Sequence, residues 1–399
     1  MNKRQLLLLS YIATCIIILS RCATRQPPIV DLRGEQFAAA ASCANCHADV
    51  YAAYSSTAHA HTSAIASPQT VKGSFTAPHN TFRFGEGSDV VMTREDSTLY
   101  QAAYHKGALK QKQPFDIVVG SGRKAQTYLY WQAGQYFQLP ISYFVPVGSW
   151  ANSPGFPATH ARFDRVIPST CFGCHSSGVA VKEERSGLQN VEKFGKREMV
   201  AGIDCQRCHG PAAEHVNFHT ENPGERTARF ITRIDTLSRG RQLDACALCH
   251  SGLRPFRKSA FAFKPGDALA DYLLPTVPFP RRPDELDVHG NQYQLLAASR
   301  CFSSETIKMT CSTCHSPHAT ERNDLQVFAK RCMNCHGGDF KHQTPMSEEV
   351  MYRNCINCHM PALPSSAITL LTNGQGSPVA DSVRTHLIAV YDKLKVPVK

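Results

Sequence analysis

The chain has 399 residues, a formal net charge of +11, 17 cysteines and 18 histidines. Length alone allows two or three domains. The positive balance first suggests a nucleic-acid or acidic-membrane partner, a reading that the charge of the groups carried by the cysteines excludes below. Lys3 and Arg4 precede an apolar run from Leu6 to Leu19, of secretory-signal rather than membrane-span length. The run ends in Leu19-Ser20-Arg21-Cys22, which resembles a bacterial lipoprotein cleavage box with Cys22 as the acylated residue. Arg21 departs from the small residue usual there, and an ordinary exported protein or an uncleaved anchor are the alternatives. All three place the body outside the cytoplasm, periplasm-facing or at the cell surface. Residues 1–21 thus read as a signal peptide and 22–42, with Pro27-Pro28, as a tether.

The pentapeptide Cys-x-x-Cys-His then occurs seven times: Cys43/Cys46/His47, Cys171/Cys174/His175, Cys205/Cys208/His209, Cys246/Cys249/His250, Cys311/Cys314/His315, Cys332/Cys335/His336 and Cys355/Cys358/His359. A shuffled chain of this composition would hold about 0.03 copies, so chance is no rival. The spacing is the c-type haem attachment signature. Two thiols one helical turn apart each add to a haem vinyl group, and the next His supplies the proximal imidazole. A zinc ribbon is indifferent to a His after the second Cys, a thioredoxin-like dithiol needs one copy in a βαβ setting, and iron–sulfur ligation does not call for the His. The expectation is seven covalently bound haem c groups. At about 54 residues per haem, the haems themselves must supply much of the apolar core. Fourteen propionates and seven ferric cores bring the mature charge to about +1 oxidised and about −6 reduced. The basic residues therefore neutralise propionates, and no nucleic-acid partner is expected.

The motif spacing divides the chain into a single-haem region at 43–170, a three-haem cluster at 171–260, a connector at 261–300, a second three-haem cluster at 301–362 and a tail at 363–399. Between motifs 1 and 2, Phe115 to Val119, Tyr128 to Trp131 and Tyr136 to Leu139 read as strands, the last two flanking Gly134 as a hairpin. Val90 to Met92 and Leu99-Tyr100 are weaker strand candidates. Residues 75–150 are thus expected to form a small antiparallel β element packed on the haems, its aromatics serving as core. From residue 171 onward short helical turns alternate with loops, and 253–288 reads as an extended connector. Val383, Leu387, Val390 and Leu394 have helical spacing at the tail. The fold expected is mainly α with little regular structure, packed around haem. Of the cysteines outside the motifs, Cys15 falls in the signal and Cys301 reads as a buried small residue.

A haem with two protein ligands only passes electrons, whereas an open sixth position can bind substrate. Eleven histidines remain after the proximal ones, enough to close every iron. Gly202-Ile-Asp-Cys-Gln-Arg-Cys-His-Gly-Pro-Ala-Ala-Glu-His215, the stretch from Cys43 to His61, and Met309-Thr-Cys-Ser-Thr-Cys-His-Ser-Pro-His318 resemble the multihaem cytochrome family that includes the tetrahaem cytochrome of hydroxylamine oxidation. The resemblance covers roughly 43–62 and 171–362 and implies close haem pairs with mostly bis-His iron. It implies distal ligands at His215, His318, His59 and His289. His219 and His342 are candidates by proximity to a motif, and His386 by its place on the tail. Met360, next to proximal His359, cannot easily reach the opposite haem face. The function expected is electron transfer between a redox donor and an acceptor, with no catalytic residue assigned. The alternatives are an oxidoreductase of nitrogen or sulfur compounds with one open haem, and a subunit of a larger respiratory complex.

Overall fold

The computed structural model describes Arg4 and residues 31–186, 189–274, 285–304, 306–337 and 354–391. The signal and Cys22 lie outside these residues, as does His342. The chain is 30% strand and 27% helix, which overturns the expectation of a mainly α fold with little regular structure. The strands are β1 (Ser63–Ile65), β2 (Thr81–Gly85), β3 (Ser88–Glu95), β4 (Thr98–His105), β5 (Ala108–Pro114), β6 (Ile117–Val119), β7 (Ala125–Gln132), β8 (Gln135–Gln138), β9 (Ile141–Phe144), β10 (Ser149–Asn152), β11 (Val166–Ile167), β12 (Ser176–Ser186), β13 (Gln189–Ala201), β14 (Ala362–Thr372) and β15 (Val379–Arg384). They form a nine-stranded sheet, a four-stranded meander β2-β3-β4-β5 and the hairpin β12-β13. The large sheet runs β1-β6-β7-β9-β10-β14-β15, with β8 on β7 and β11 on β8.

Turn chemistry explains the hairpins. Glu86-Gly87, Lys106-Gly107 and Ala133-Gly134 all hold positive φ at both positions, the two-residue turn whose twist matches that of the flanking strands. The hairpin expected at Gly134 is therefore present as β7-β8, and Val90–Met92 and Leu99–Tyr100 fall in β3 and β4. The aromatics are core. Phe75, Phe115, Tyr128, Tyr143 and Trp150 interlock edge to face with ring centroids 4.6–6.4 Å apart, and Trp150 Nε1 donates to the Ser74 carbonyl at 2.9 Å. Gly73 packs so closely that a Cβ there would sit 2.4 Å from the Trp150 ring.

Three departures from expectation have local causes. The β element is not confined to 75–150, because β1, β11, β14 and β15 join the large sheet from outside that range. The charge-rich stretch between motifs 2 and 3 is the long hairpin β12-β13; Trp131 Nε1 donates to the Phe194 carbonyl and Phe194 N–H to the Gly134 carbonyl, docking it on β7-β8. The tail is not helical where it is described: Val383 lies in β15 and residues 385–391 run irregularly. There the Thr385 and Ala389 N–H groups donate to the Pro361 and His359 carbonyls, partners that replace the i−4 carbonyls of a helix. Among the described residues no helix is long and apolar enough to cross a membrane.

Trp150 is 2% exposed at the centre of the aromatic cluster. Trp150→Ala is expected to cost about 4 kcal/mol, read as a lower denaturant midpoint of the β lobe by far-ultraviolet circular dichroism. An unchanged midpoint would show that this cluster does not hold the lobe.

Candidate haem-binding sites

Each attachment motif sits at a short helical turn. The turns are Ala40–Asn45 (3-10), α2 (Ser169–His175), α3 (Cys205–His209), α5 (Arg239–His250), Cys311–Thr313 (3-10), α8 (Leu325–His336) and α9 (Cys355–His359); α1 (Ala48–Ser55), α4 (Ala213–Glu221), α6 (Gln292–Ala297) and α7 (Arg300–Ser303) complete the helices named here. Side-chain caps fix where several begin: Asp204 accepts from Arg207 N–H, Ser238 from Arg241 N–H and Asp324 from Val327 N–H. Asp204 also pairs with Arg33 at 2.6 Å, and Arg33 with Asp31 at 2.8 Å, all three side chains under 10% exposed. This triad ties the segment before motif 1 to the start of motif 3.

The structure pairs the histidines. His47 faces His215 with ring centroids 6.5 Å apart and planes 12° from parallel. His209 faces His318 at 6.0 Å and 10°, and His315 faces His386 at 6.1 Å and 28°. His59 and His250 stand 6.2 Å apart with planes crossed at 70°. A ring nitrogen lies about 1.1 Å from its centroid and metal–imidazole bonds run about 2.0 Å, so two rings sharing one iron stand about 6.2 Å apart. All four pairs fit a haem iron between two imidazoles. His289 lies within electrostatic reach of His175. The ring contacts of His219 are with His215 at 4.6 Å and Phe218 at 5.2 Å.

The surroundings prepare the rings as ligands. Carbonyl oxygens of Thr232, Arg229 and Ala389 stand 2.7–2.9 Å from Nδ1 of His209, His215 and His359. A carbonyl only accepts, so Nδ1 carries the proton and Nε2 keeps its lone pair. Burial holds the imidazolium of His59 and His318 below its usual range, and brings His250 and His386 down to about 4. The rings are therefore neutral near pH 7, the state that binds iron. By contrast, His61 places Nε2 2.8 Å from the Ser55 carbonyl, and His105 and His160 have hydroxyl neighbours at 3.2 and 3.1 Å.

Backbone anchors position the histidines expected as distal ligands. Ile203 N–H donates to the His59 carbonyl at 2.8 Å. Gly202, at φ +70°, lies so close that a Cβ would meet the Ala60 carbonyl at 2.4 Å. Before His289, Asp287 accepts the His289 N–H at 2.7 Å, the Ser365 hydroxyl at 2.8 Å, and both the N–H and hydroxyl of Ser366. Burial raises the Asp287 carboxyl, but these bonds outweigh it and hold the group at about 2. Motifs 5 and 6 are clamped by Glu321 and Arg331: Arg331 Nη1 donates to Glu321 Oε2 and to the Cys314 carbonyl, both at 2.7 Å. Sequence reasoning missed Gly202 and Asp287, whose partners Ala60, Ser365 and Ser366 lie far away in the chain, and the Glu321–Arg331 pair, ten residues apart.

The Arg331 hydrogen bond holds the Glu321 carboxyl at about 2, below its ordinary 4.5. A depressed carboxylate contributes stability above its unfolded pKa and loses it as pH falls through the folded one. The clamp is thus complete above about pH 5 and fades between about 4.5 and 2. Glu321→Gln is expected to lower the melting temperature at pH 7 and to shrink the difference from the native protein as pH falls through that window. A pH-independent difference would refute this.

Comparison with known proteins bears on the class of protein. The family described as cytochrome c554 and c-prime matches residues 158–210, which hold motifs 2 and 3. The multiheme cytochrome MtrA of Shewanella baltica (strain OS185) is 24% identical over 249 residues, covering 54% of this chain and 73% of that protein. The crystal structure of the outer cell wall cytochrome OcwA shares the fold with a TM-score of 0.51 at 18% identity, over 88% of this chain and 79% of that one. Motifs, imidazole pairs and likenesses converge on one class of protein, the multihaem c-type cytochromes.

Proposed function

We propose that the chain is a heptahaem electron relay, held outside the cytoplasm, that receives electrons from one redox protein and passes them to another. The observation that carries this reading is the set of four imidazole pairs with centroids 6.0–6.5 Å apart. When bound, haem c supplies a one-electron iron couple at each site. The thioether cysteines are Cys43, Cys46, Cys171, Cys174, Cys205, Cys208, Cys246, Cys249, Cys311, Cys314, Cys332, Cys335, Cys355 and Cys358.

The axial pairs are His47 with His215, His175 with His289, His209 with His318, His250 with His59 and His315 with His386. His336 and His359 are the proximal ligands of motifs 6 and 7, with His342 the first candidate opposite one of them. Two imidazoles close an iron against substrate and favour lower potentials than His/Met ligation. Cys22 is the proposed lipid anchor, which would keep the relay at a membrane surface. The name of OcwA, an outer cell wall cytochrome, supports an extracytoplasmic site of action. The match of motifs 2 and 3 to the family described as cytochrome c554 and c-prime supports the cytochrome reading.

The intact mass of the purified protein is expected to exceed that of the mature polypeptide by seven haems. Low-temperature EPR of the oxidised protein, quantified against total haem, is expected to show only low-spin iron. Parallel rings at His47/His215 and His209/His318 should give rhombic signals, and crossed rings at His59/His250 a highly anisotropic one. A stoichiometric high-spin iron that binds nitrite, hydroxylamine or sulfite would sink the pure relay in favour of an enzyme.

A further inference from the structure

The attachment motifs do not meet in chain order. Motif 1 meets motif 3: Tyr54 Oη donates to the Ile203 carbonyl at 2.6 Å, and the Ala38 N–H and carbonyl both bond the Gln206 side chain. Motif 2 meets motif 4 reciprocally, with Cys174 Sγ 3.9 Å from the Leu248 carbonyl and Cys249 Sγ 3.8 Å from the Gly173 carbonyl. From α5, the helix of motif 4, Arg239 Nε donates to the Met309 carbonyl at 2.8 Å, two residues before motif 5. From motif 5 the Arg331 bond to the Cys314 carbonyl leads to motif 6, and α8 packs on α9 to reach motif 7.

Motif 3 completes the pattern. Its Arg207 donates to the Gly173 and Ala260 carbonyls, both at 2.9 Å, and Ala260 packs in one buried cluster with Ala247 and Leu248 of motif 4. His250 itself faces His59, the ring that follows motif 1, with centroids 6.2 Å apart. Motif 4 therefore borders motifs 2, 3 and 5.

We propose that the site built by Cys246, Cys249 and His250 is the branch point of the relay, where the arm of motifs 1 and 3, the single site at motif 2 and the arm of motifs 5, 6 and 7 exchange electrons. This rests on the haem-relay reading above. Each transfer moves one electron from a reduced site to an oxidised neighbour, with no bond made or broken. The initial electron comes from an external one-electron donor. The crossed planes of His59 and His250 mark this site spectroscopically.

The test is His59→Met in the full haem-loaded protein. A thioether in place of imidazole raises the iron potential, so one of the seven sites should titrate above the rest, and the highly anisotropic signal should be lost. Poising the sample so that only this site is reduced makes it diamagnetic and removes its magnetic coupling to its neighbours. Three of the remaining six low-spin signals are expected to sharpen; changes in two or fewer would overturn the branch point while leaving the relay intact. A protein with seven haems but no raised potential would instead fail the ligand assignment of His59. In that event, or if the variant does not accumulate, iron positions from anomalous diffraction of the native protein decide. The iron beside His250 should have the irons beside His175, His209 and His315 as its three nearest neighbours, and any set lacking one of them overturns the proposal.

Discussion

The structure depends on holding pairs of imidazoles about 6 Å apart when the two residues come from different parts of the chain, the spacing that two axial ligands of one iron would need. An axial bond tolerates little error in distance, so the backbone on both sides must be fixed. Proximal rings inherit their place from the helical turn that carries the cysteines. Distal rings have no such turn and rely on separate anchors. His59 is held by the Ile203 N–H over Gly202, His215 by the Arg229 carbonyl and His289 by the Asp287 carboxylate.

The β lobe supplies rigidity that haem packing alone would lack. Its aromatic cluster buries Phe115, Tyr128 and Trp150 almost completely, and it reaches the sites through two connections. The hairpin β12-β13 spans the gap between motifs 2 and 3 and is pinned where the fully buried Asp116 accepts the Trp131 N–H at 2.8 Å, with Lys196 and Arg197 at 3.4 and 3.3 Å. At the other end, β14 begins just after motif 7 and pairs with β10 and β15. Its Ser365 and Ser366 bind Asp287, which in turn holds the His289 turn. A strand of the sheet thus sets the position of a histidine beside motif 2.

The attachment motifs were legible because covalent haem chemistry demands a contiguous pentapeptide. The hairpin at Gly134 was legible for a similar reason, since its turn needs residues that tolerate positive φ. What escaped sequence reading was set by partners distant in the chain. The Val179 to Val181 strand runs straight into the charged Lys182-Glu183-Glu184-Arg185, yet it forms because Phe194 and Met199 pack with it. Val383 and Leu387 have helical spacing, but the tail's N–H groups find carbonyls in the motif 7 loop instead. The distal histidines were recognisable as candidates, whereas their pairing was not, because spacing says nothing about which ring faces which.

That pairing crosses the groups that motif spacing suggests. His59 follows motif 1 and faces motif 4, while His318 follows motif 5 and faces motif 3. No three-motif stretch contains all the rings its own irons would need. Haem binding at one site therefore orders a segment that a second site also requires. Ligand binding that occurs only in the folded state adds directly to stability, and here each binding event also closes a long loop whose entropy cost rises only slowly with length. Once one axial bond brings two segments together, the next pair forms within an already closed loop. With the proposed axial pairs, crossed ligation would make the haem sites and the fold a single cooperative unit, most concentrated at motif 4.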